Sequence, residues 1–513
     1  MPTKIRALRL TGLAAALLFG QGLPALAGAQ QAATTATPQS AHDSQEPVPV
    51  SDAQYGRVPA KQVPKPRILP PNAGKGPPVG AYRLIRYNDV YKGQDTGPLH
   101  AWKNRPIGDT GDVTLTLFGE ERVRSVWQTW NSYTGAGERD QRFMLLRHQY
   151  GADLHVGEGL RFFGQLISGQ QFGSNYPRPE SPRQSNEVDL SQAFIEANHK
   201  TGSGTLGVRA GRQQVHFGTG QVFALQAAPN VERNFDGVRG YFDSPGFKLD
   251  AFLMRPVVYG RHSFDDDTDD DTSIWGLYGS MPLVRKQGLS INLDPIYVGQ
   301  RDGSLAFNRL SGAETRHTFA TRFWGKWGAA GIDYTVLYQT GSFDERNIRA
   351  SAVMTTTSFN LGQDRDAPVL AFNLDMASGG KRDGSTVKTY NPLYMSGEYV
   401  SLNGFMSLSN MYSFAPSLSF RLPHDLSLEI YDRLYWRYST DDAVYGQNFS
   451  TLAPSLRTDA RYTGQQPAVD LRWQASPNLQ LRGSGAYFEP SSKMRAAGLR
   501  HTPTFRIDLT YIF

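Results

Sequence analysis

Ten arginines in this 513-residue chain stand in extended, alternating stretches, each on the face opposite a row of apolar side chains. Arg122 and Arg124 face away from Val123 and Trp127, Arg147 from Leu146, Arg161 from Phe162, and Arg209 from Val208. Arg433 and Arg437 share one face, about 13 Å apart at strand rise. Arg472, Arg482 and Arg506 come from the last three such stretches. A guanidinium is a planar five-donor fork that matches carboxylates and phosphates. Sealed in an apolar core, ten of them would be very costly, so they imply a wet interior. A file of such forks focuses positive potential and favours anionic solute. The competing role is structural, because Glu120, Asp153, Glu196, Asp333, Glu429, Asp470 and Asp508 offer carboxylates for cross-strand pairing. The expectation is a net anion path built by several of the ten.

Two further sets have types and spacing that invite chemistry. Gly211-Arg212-Gln213 precedes an irregular interval with Phe217, Phe223 and Pro229, and then Asn230-Val231-Glu232-Arg233-Asn234-Phe235-Asp236-Gly237-Val238-Arg239. An interval of about 20 residues folding inward would narrow a pore, with Arg233, Asp236 and Arg239 as constriction or latch; the alternative is an external loop packed on its own aromatics. The acidic run Asp265, Asp266, Asp267, Asp269, Asp270 and Asp271 is a weak candidate for a hard cation such as calcium. It lacks the glycine and glutamate spacing of a calcium loop, so a solvated loop is the better reading. No cofactor motif and no catalytic set emerge: the ten histidines are scattered and no Gly-x-Ser-x-Gly elbow occurs. The chain is expected not to be an enzyme.

The elements that must position these residues are strands of period two. In the last ten residues Phe505, Ile507, Leu509, Tyr511 and Phe513 take one side and Thr504, Arg506, Asp508, Thr510 and Ile512 the other. The same grammar recurs from Val113 onward, through Leu146 to Val156, Leu160 to Leu166, Leu289 to Leu293, Ile332 to Tyr338, Leu426 to Arg437, Val469 to Trp473 and Leu479 to Arg482. No helix or second sheet is foreseen to cover the apolar faces, which therefore meet lipid. The fold class is all-β: a transmembrane antiparallel β-barrel of about 18 strands (range 16–18) over residues 113–513, with a disordered N-terminal extension. Composition agrees, with 52 glycines, 24 tyrosines and 27 phenylalanines. A mean hydropathy of -0.45 leaves no room for a helical membrane protein. Cysteine is absent, which excludes disulfides and thiolate sites.

Residues 1–29 read as a signal peptide: Lys4, Arg6 and Arg9 precede the apolar run Leu10 to Gly22, with small residues at Ala27-Gly28-Ala29. Without those three charges the net charge of +6 falls to +3, too little to suggest nucleic acid. Residues 30–80 form a Pro/Ala/Gln-rich linker, with nine prolines between Pro47 and Pro78, expected to be disordered. Residues 81–112 are a lead-in, either tucked into the barrel mouth or forming an interfacial strap. Short turns are expected at 157–159, 326–328 and 476–478. Long loops are expected near 170–187, 213–236, 260–272, 298–312, 341–366, 377–391 and 439–453.

The ordered set Phe118-Gly119-Glu120-Glu121-Arg122-Val123-Arg124, the strand around Arg147, Gly211-Arg212-Gln213, Pro229 to Arg239 and Arg255-Pro256-Val257 resembles the alginate-export domain family over about residues 85–513. That resemblance implies an 18-stranded outer-membrane barrel with an arginine-rich lumen, passing an alginate-like anionic polysaccharide outward. The sequence after Gly211-Arg212-Gln213 is closer to the broader family than to the exporter proper. Two other readings stand beside export: a substrate-selective porin for uptake of small anionic or sugar-acid solutes, and a plugged structural or adhesive barrel. The expected location is the outer membrane of a Gram-negative cell. The expected partners are outer-membrane lipid, the barrel-assembly machinery, an anionic polysaccharide or small anion, and periplasmic proteins touching the linker.

Overall fold

Alternation of side chains decides the architecture. In the stretch Val113–Thr129, Arg122 and Arg124 are 4% and 6% exposed while Val123 and Trp127 are 39% and 40% exposed. The polar face is thus the buried one, the reverse of a soluble sheet, as expected where the outside is hydrocarbon and the inside polar. The computed structural model describes residues 82–89, 99–129, 140–173, 180–226, 228–307, 310–364, 366–381, 384–402, 404, 406–446 and 449–513. The signal peptide and linker expected at 1–29 and 30–80 lie outside these residues.

Eighteen long antiparallel strands follow in chain order. They are β1 (Val113–Thr129), β2 (Asp140–Val156), β3 (Leu160–Gly173), β4 (Asn186–Lys200), β5 (Thr205–Gln213), β6 (Phe235–Ser244), β7 (Phe247–Val258), β8 (Thr272–Lys286) and β9 (Leu289–Phe307). Then come β10 (Leu310–Trp327), β11 (Ala330–Phe343), β12 (Arg346–Asn360), β13 (Val369–Ala377), β14 (Met411–Leu422), β15 (Leu426–Arg437), β16 (Tyr462–Gln474), β17 (Leu479–Pro490) and β18 (Thr502–Ile512). Each pairs with the next, and β18 returns to β1 in register from Glu120↔Ile512 to Gln128↔Thr504, closing the barrel. Closure removes the sheet edges that an open sheet would expose.

The seam is finished by the last residue. The Gly119 N–H donates to the Phe513 carbonyl at 2.8 Å and the Phe513 N–H to the Gly119 carbonyl at 3.0 Å. A Cβ on Gly119 would lie 2.6 Å from the Phe513 ring, so the ring keeps this place only above a glycine.

Connections at the two ends differ. At one end lie short turns such as 157–159 and 475–478; at the other, the described residues of 214–234, 378–410 and 438–461 turn into the lumen. Phe217 and Phe223 from the first of these, with Met395, Tyr399, Val400 and Leu408 from the second, join Phe252 and Tyr278 of the wall in the main apolar cluster. The interval after Gln213 is therefore an inward loop.

Two expected loops are strands instead. Residues 298–307 continue β9 and pair with β10, and 341–360 are the β11 to β12 hairpin followed by a turn at the opposite end. Polar residues on both faces hid their period. The turn expected at 326–328 falls one residue later, with Gly328 and Ala329 between β10 and β11.

The lead-in splits. Arg105–Ile107 adds a short strand to β1, whereas Tyr82, Ile85 and Tyr87 enter the turn end of the lumen and pack on Phe118, Phe163 and Phe194.

Candidate functional site in the barrel lumen

The ten arginines all lie on the inner parity of their strands. Eight of them are paired there with carboxylates from the wall strands or inward loops. Arg147 pairs with Glu120 and, at 3.0 Å, with Glu232. Arg161 donates two hydrogen bonds to Asp153, at 2.8 and 2.7 Å. Arg209 donates to Glu196 at 2.7 Å and stacks over Tyr87 at 3.8 Å. Arg433, fully buried, donates to Asp375 at 2.6 Å and to Ser413 at 2.8 Å. Arg124 pairs with Asp508, and Arg472 and Arg482 share Asp470.

Arg122, Arg437 and Arg506 also reach the inward connections. Arg122 donates to the Pro229 carbonyl at 2.9 Å and to Asn230 Oδ1 at 3.1 Å, so it holds the inward loop against the wall. Arg437 donates to the carbonyls of Ala460, Ser455 and Thr458, riveting the loop after β15. Arg506 reaches an inward loop, donating from Nη2 to Glu398 Oε1 at 2.9 Å.

Closure gathers part of this set into one sector. Arg124 stands opposite Asp508, and Val126 opposite Arg506, across the β1–β18 pair. Ser427↔Arg472 and Arg472↔Arg482 carry the sector across β15, β16 and β17, where Glu429 faces Asp470. Arg122, Arg124, Arg472, Arg482 and Arg506 here face four carboxyl groups: Asp470, Asp508, Glu429 and Glu398. Arg147, Arg161 and Arg209 form a second group along β2 to β5, and Arg433 and Arg437 a third on β15.

The proposed latch is not brought together. Arg233 lies in the inward loop and donates to the Tyr394 carbonyl at 2.5 Å and to Gln226 Oε1 at 2.9 Å. Burial first, then nearby Arg183, lowers its guanidinium to about 10. Arg239 is on the lumen wall, donating to Asp250 Oδ1 at 2.7 Å. Asp236 corrects the expectation: its strand parity is that of exposed Val238, so it turns to the outer face and pairs with Arg212 at 2.8 Å.

The acidic run is also dispersed. Asp267 and Asp269 accept local backbone N–H bonds, Asp270 pairs with Arg255, and Asp271 accepts from Ser304. Alternation and turning send successive carboxylates in different directions, so the six do not converge. Asp265 and Asp266 instead approach Asp189, with one oxygen of each within 4.8 Å of the others. Burial first, then Asp189 and Asp265, raises Asp266 to about 7.

Sequence reasoning missed three wall and loop groups. Arg316 pairs with Glu314 at 2.7 Å, and Arg322 bridges Asp294 at 2.8 Å and Asp333 at 2.7 Å. The signal existed: Glu314, Arg316, Thr318, Ala320, Arg322 and Trp324 alternate, but their outer partners include Thr315, His317 and Thr321. Glu398 had no such signal, because it sits in an aperiodic stretch between Pro392 and Gly404.

Two cavities among the described residues, of about 200 Å³ each, open on the lumen. One lies among Gln226, Arg233, Gln300, Asn391 and Tyr394 at the loop end. The other, about 210 Å³, lies among Tyr87, Arg161, Glu196, Arg209 and Lys248 at the turn end.

Comparison with known proteins identifies this architecture. The family described as alginate export matches residues 117–506. No curated protein matches the chain. Among solved structures it is similar to a BenF-like porin from Pseudomonas fluorescens Pf-5 (10% identity, TM-score 0.55, covering 78% of this chain and 98% of that one). It is similar to OccK9 (OpdG) from Pseudomonas aeruginosa (13% identity, TM-score 0.53, 79% and 100% covered). It is also similar to OccK2 (OpdF) of the same organism in complex with glucuronate (11% identity, TM-score 0.51, 80% and 98% covered). With more than half of its length matched, this chain belongs to the alginate-export family and is an outer-membrane β-barrel of the channel-forming kind.

Proposed function

We infer that this channel passes anionic saccharide, and that its leading cargo is a uronate polymer of the alginate type moving outward. The observation that carries the reading is the sector of Arg122, Arg124, Arg472, Arg482 and Arg506, which closure of the barrel gathers on one part of the lumen wall. Guanidiniums gathered in this way focus positive potential and offer charge-assisted hydrogen bonds to a carboxylate. Repeated forks at strand spacing offer successive sites to successive uronate carboxylates. Each site is diluted by Asp470 and Asp508, so a carboxylate is attracted and released.

Uptake of small sugar acids is the second reading. It is favoured by the inward loops 214–234 and 378–410, which fill the loop end of the lumen around small cavities, and by the glucuronate complex of the related porin fold.

The test is reversal potential across a KCl gradient in planar bilayers, followed by block with oligomannuronate and with glucuronate. Anion preference with stronger block by the oligomer supports polymer passage. Stronger block by the monomer supports uptake of small acids, and cation preference overturns both.

A further inference from the structure

We propose that Glu398 is a resident, exchangeable carboxylate that occupies the anion site of the arginine sector and yields it to the carboxylate of a passing solute. The inference rests on the reading of that sector as the anion path. Three observations carry it.

First, Glu398 comes from an inward loop, whereas Asp470 and Asp508 belong to wall strands. It is held as if a ligand: Arg506 Nη2 donates to Oε1 at 2.9 Å, and Arg482 Nη1 lies 3.6 Å from Oε2. Burial disfavours its charge, but Arg506, Arg482 and Arg124 outweigh that and hold the carboxyl at about 2. It is therefore an anion throughout the working range of pH.

Second, of the three carboxylates that the sector's arginines pair with, it is the most exposed. Asp470 receives two hydrogen bonds from Arg482, at 2.9 and 3.0 Å, and a third from Arg472. Glu398 receives one, and its side chain is 19% exposed against 3% for Asp470 and 6% for Asp508.

Third, the backbone on its C-terminal side is fixed. Tyr399 Oη donates to Asp375 at 2.9 Å, and Tyr435 Oη donates to the Val400 carbonyl at 2.8 Å. Exchange thus needs only rotation of the glutamate side chain, with the loop staying in place.

A carboxylate on so short a tether is always within reach of the site, so a solute carboxylate binds only in competition with it. Solute displaces the glutamate, and the glutamate displaces the solute in turn. No bond is made or broken; one charge-assisted hydrogen bond replaces another. The device lowers the affinity of the site without removing its selectivity, which suits a pore that must release what it attracts.

The experiment uses the full-length protein in planar bilayers with glucuronate as the probe. Glu398→Gln keeps the shape and removes the competing charge. The expected result is about a tenfold lower half-blocking concentration of glucuronate, equivalent to about 1.4 kcal/mol. Longer blocked dwells and increased anion preference accompany it. Unchanged block in an assembled Glu398→Gln channel, while the unmodified channel is anion-selective and blocked by glucuronate, overturns the exchange role and leaves the anion path standing. An unmodified channel that prefers cations and ignores glucuronate overturns the anion path itself. Should Glu398→Gln not assemble, Glu398→Asp carries the test. Its carboxylate, withdrawn by one methylene, gives tighter glucuronate block than the unmodified channel if the exchange role holds, and equal or weaker block if it does not.

Discussion

Replacing Arg122, Arg124 and Arg506 together by glutamine should reverse the ion preference of the pore, not merely weaken it. In the sector, five guanidiniums oppose Asp470, Asp508, Glu429 and Glu398, an excess of one positive charge if all are ionised. The triple change leaves Arg472 and Arg482 against the same four groups, an excess of two negative charges. Asp508 loses both of its partners, Arg124 and Arg506, and Glu398 loses its closest one. The effect is local, because the Debye length is about 10 Å at 0.1 M salt and about 3 Å at 1 M. Reversal potential in a tenfold KCl gradient is the assay, with the limit for perfect selectivity at about 59 mV of either sign. The unmodified channel should sit on the anion side, the triple variant on the cation side, and the gap should shrink when both solutions are raised toward 1 M. Assembly is checked by heat-modifiable mobility on a gel. An assembled triple variant whose reversal potential equals that of the unmodified channel refutes the assignment of this sector.

Other consequences follow from single contacts. Tyr87 donates to the Gln214 carbonyl at 2.9 Å and lies under Arg209, so Tyr87→Ala should loosen the segment in the turn end of the lumen and raise single-channel conductance; equal conductance would place the narrowest point elsewhere. Gly119→Val should force the Phe513 ring off the seam at a cost of about 1–3 kcal/mol and reduce the heat-modifiable form, which quantitative gel analysis would register. Asp266 lies in the loop after β7, and its folded pKa of about 7 exceeds the usual 3.8, so the folded loop binds the extra proton between those values. Loop stability should therefore be greater at pH 5 than at pH 8 and fall as pH rises through 7, with Asp266→Asn flattening the dependence. Hydrogen exchange of residues 259–271 at the two pH values measures it.

The wall was legible in the sequence because its physics has period two. Where the outer residues were plainly apolar, as around Val123, Val208 and Phe505, each inward arginine could be assigned a face without knowing its neighbours. The same rule explains the misses at the end of β9, on β10 and on β12, where threonine, glycine and histidine occupy outer positions and blur the pattern. Pairing partners were legible only as a supply. Glu120, Asp153, Glu196, Asp333, Asp470 and Asp508 do hold arginines, but register assigns them, and register comes from the closed sheet. Loop direction was less accessible. Phe217 and Phe223 turn inward because they find Phe252, Tyr278 and Tyr394, all distant in the chain.

The pairing pattern also locates where selectivity can arise. A file of arginines suggests a uniformly positive lumen, yet Arg147, Arg161, Arg209, Arg316, Arg322 and Arg433 each stand against carboxylates at hydrogen-bond distance. Such pairs present dipoles to the lumen and set little net potential beyond a Debye length. Discrimination between ions must then come from the places where pairing is incomplete or supplied by a group that can move. The β15–β18 and β1 sector has both properties: an unused guanidinium donor on Arg472, and one carboxylate delivered by a loop. The sequence feature to weigh in such a barrel is therefore not the number of inward arginines. It is whether their acids come from the adjacent strands or from a connection that folds back into the pore.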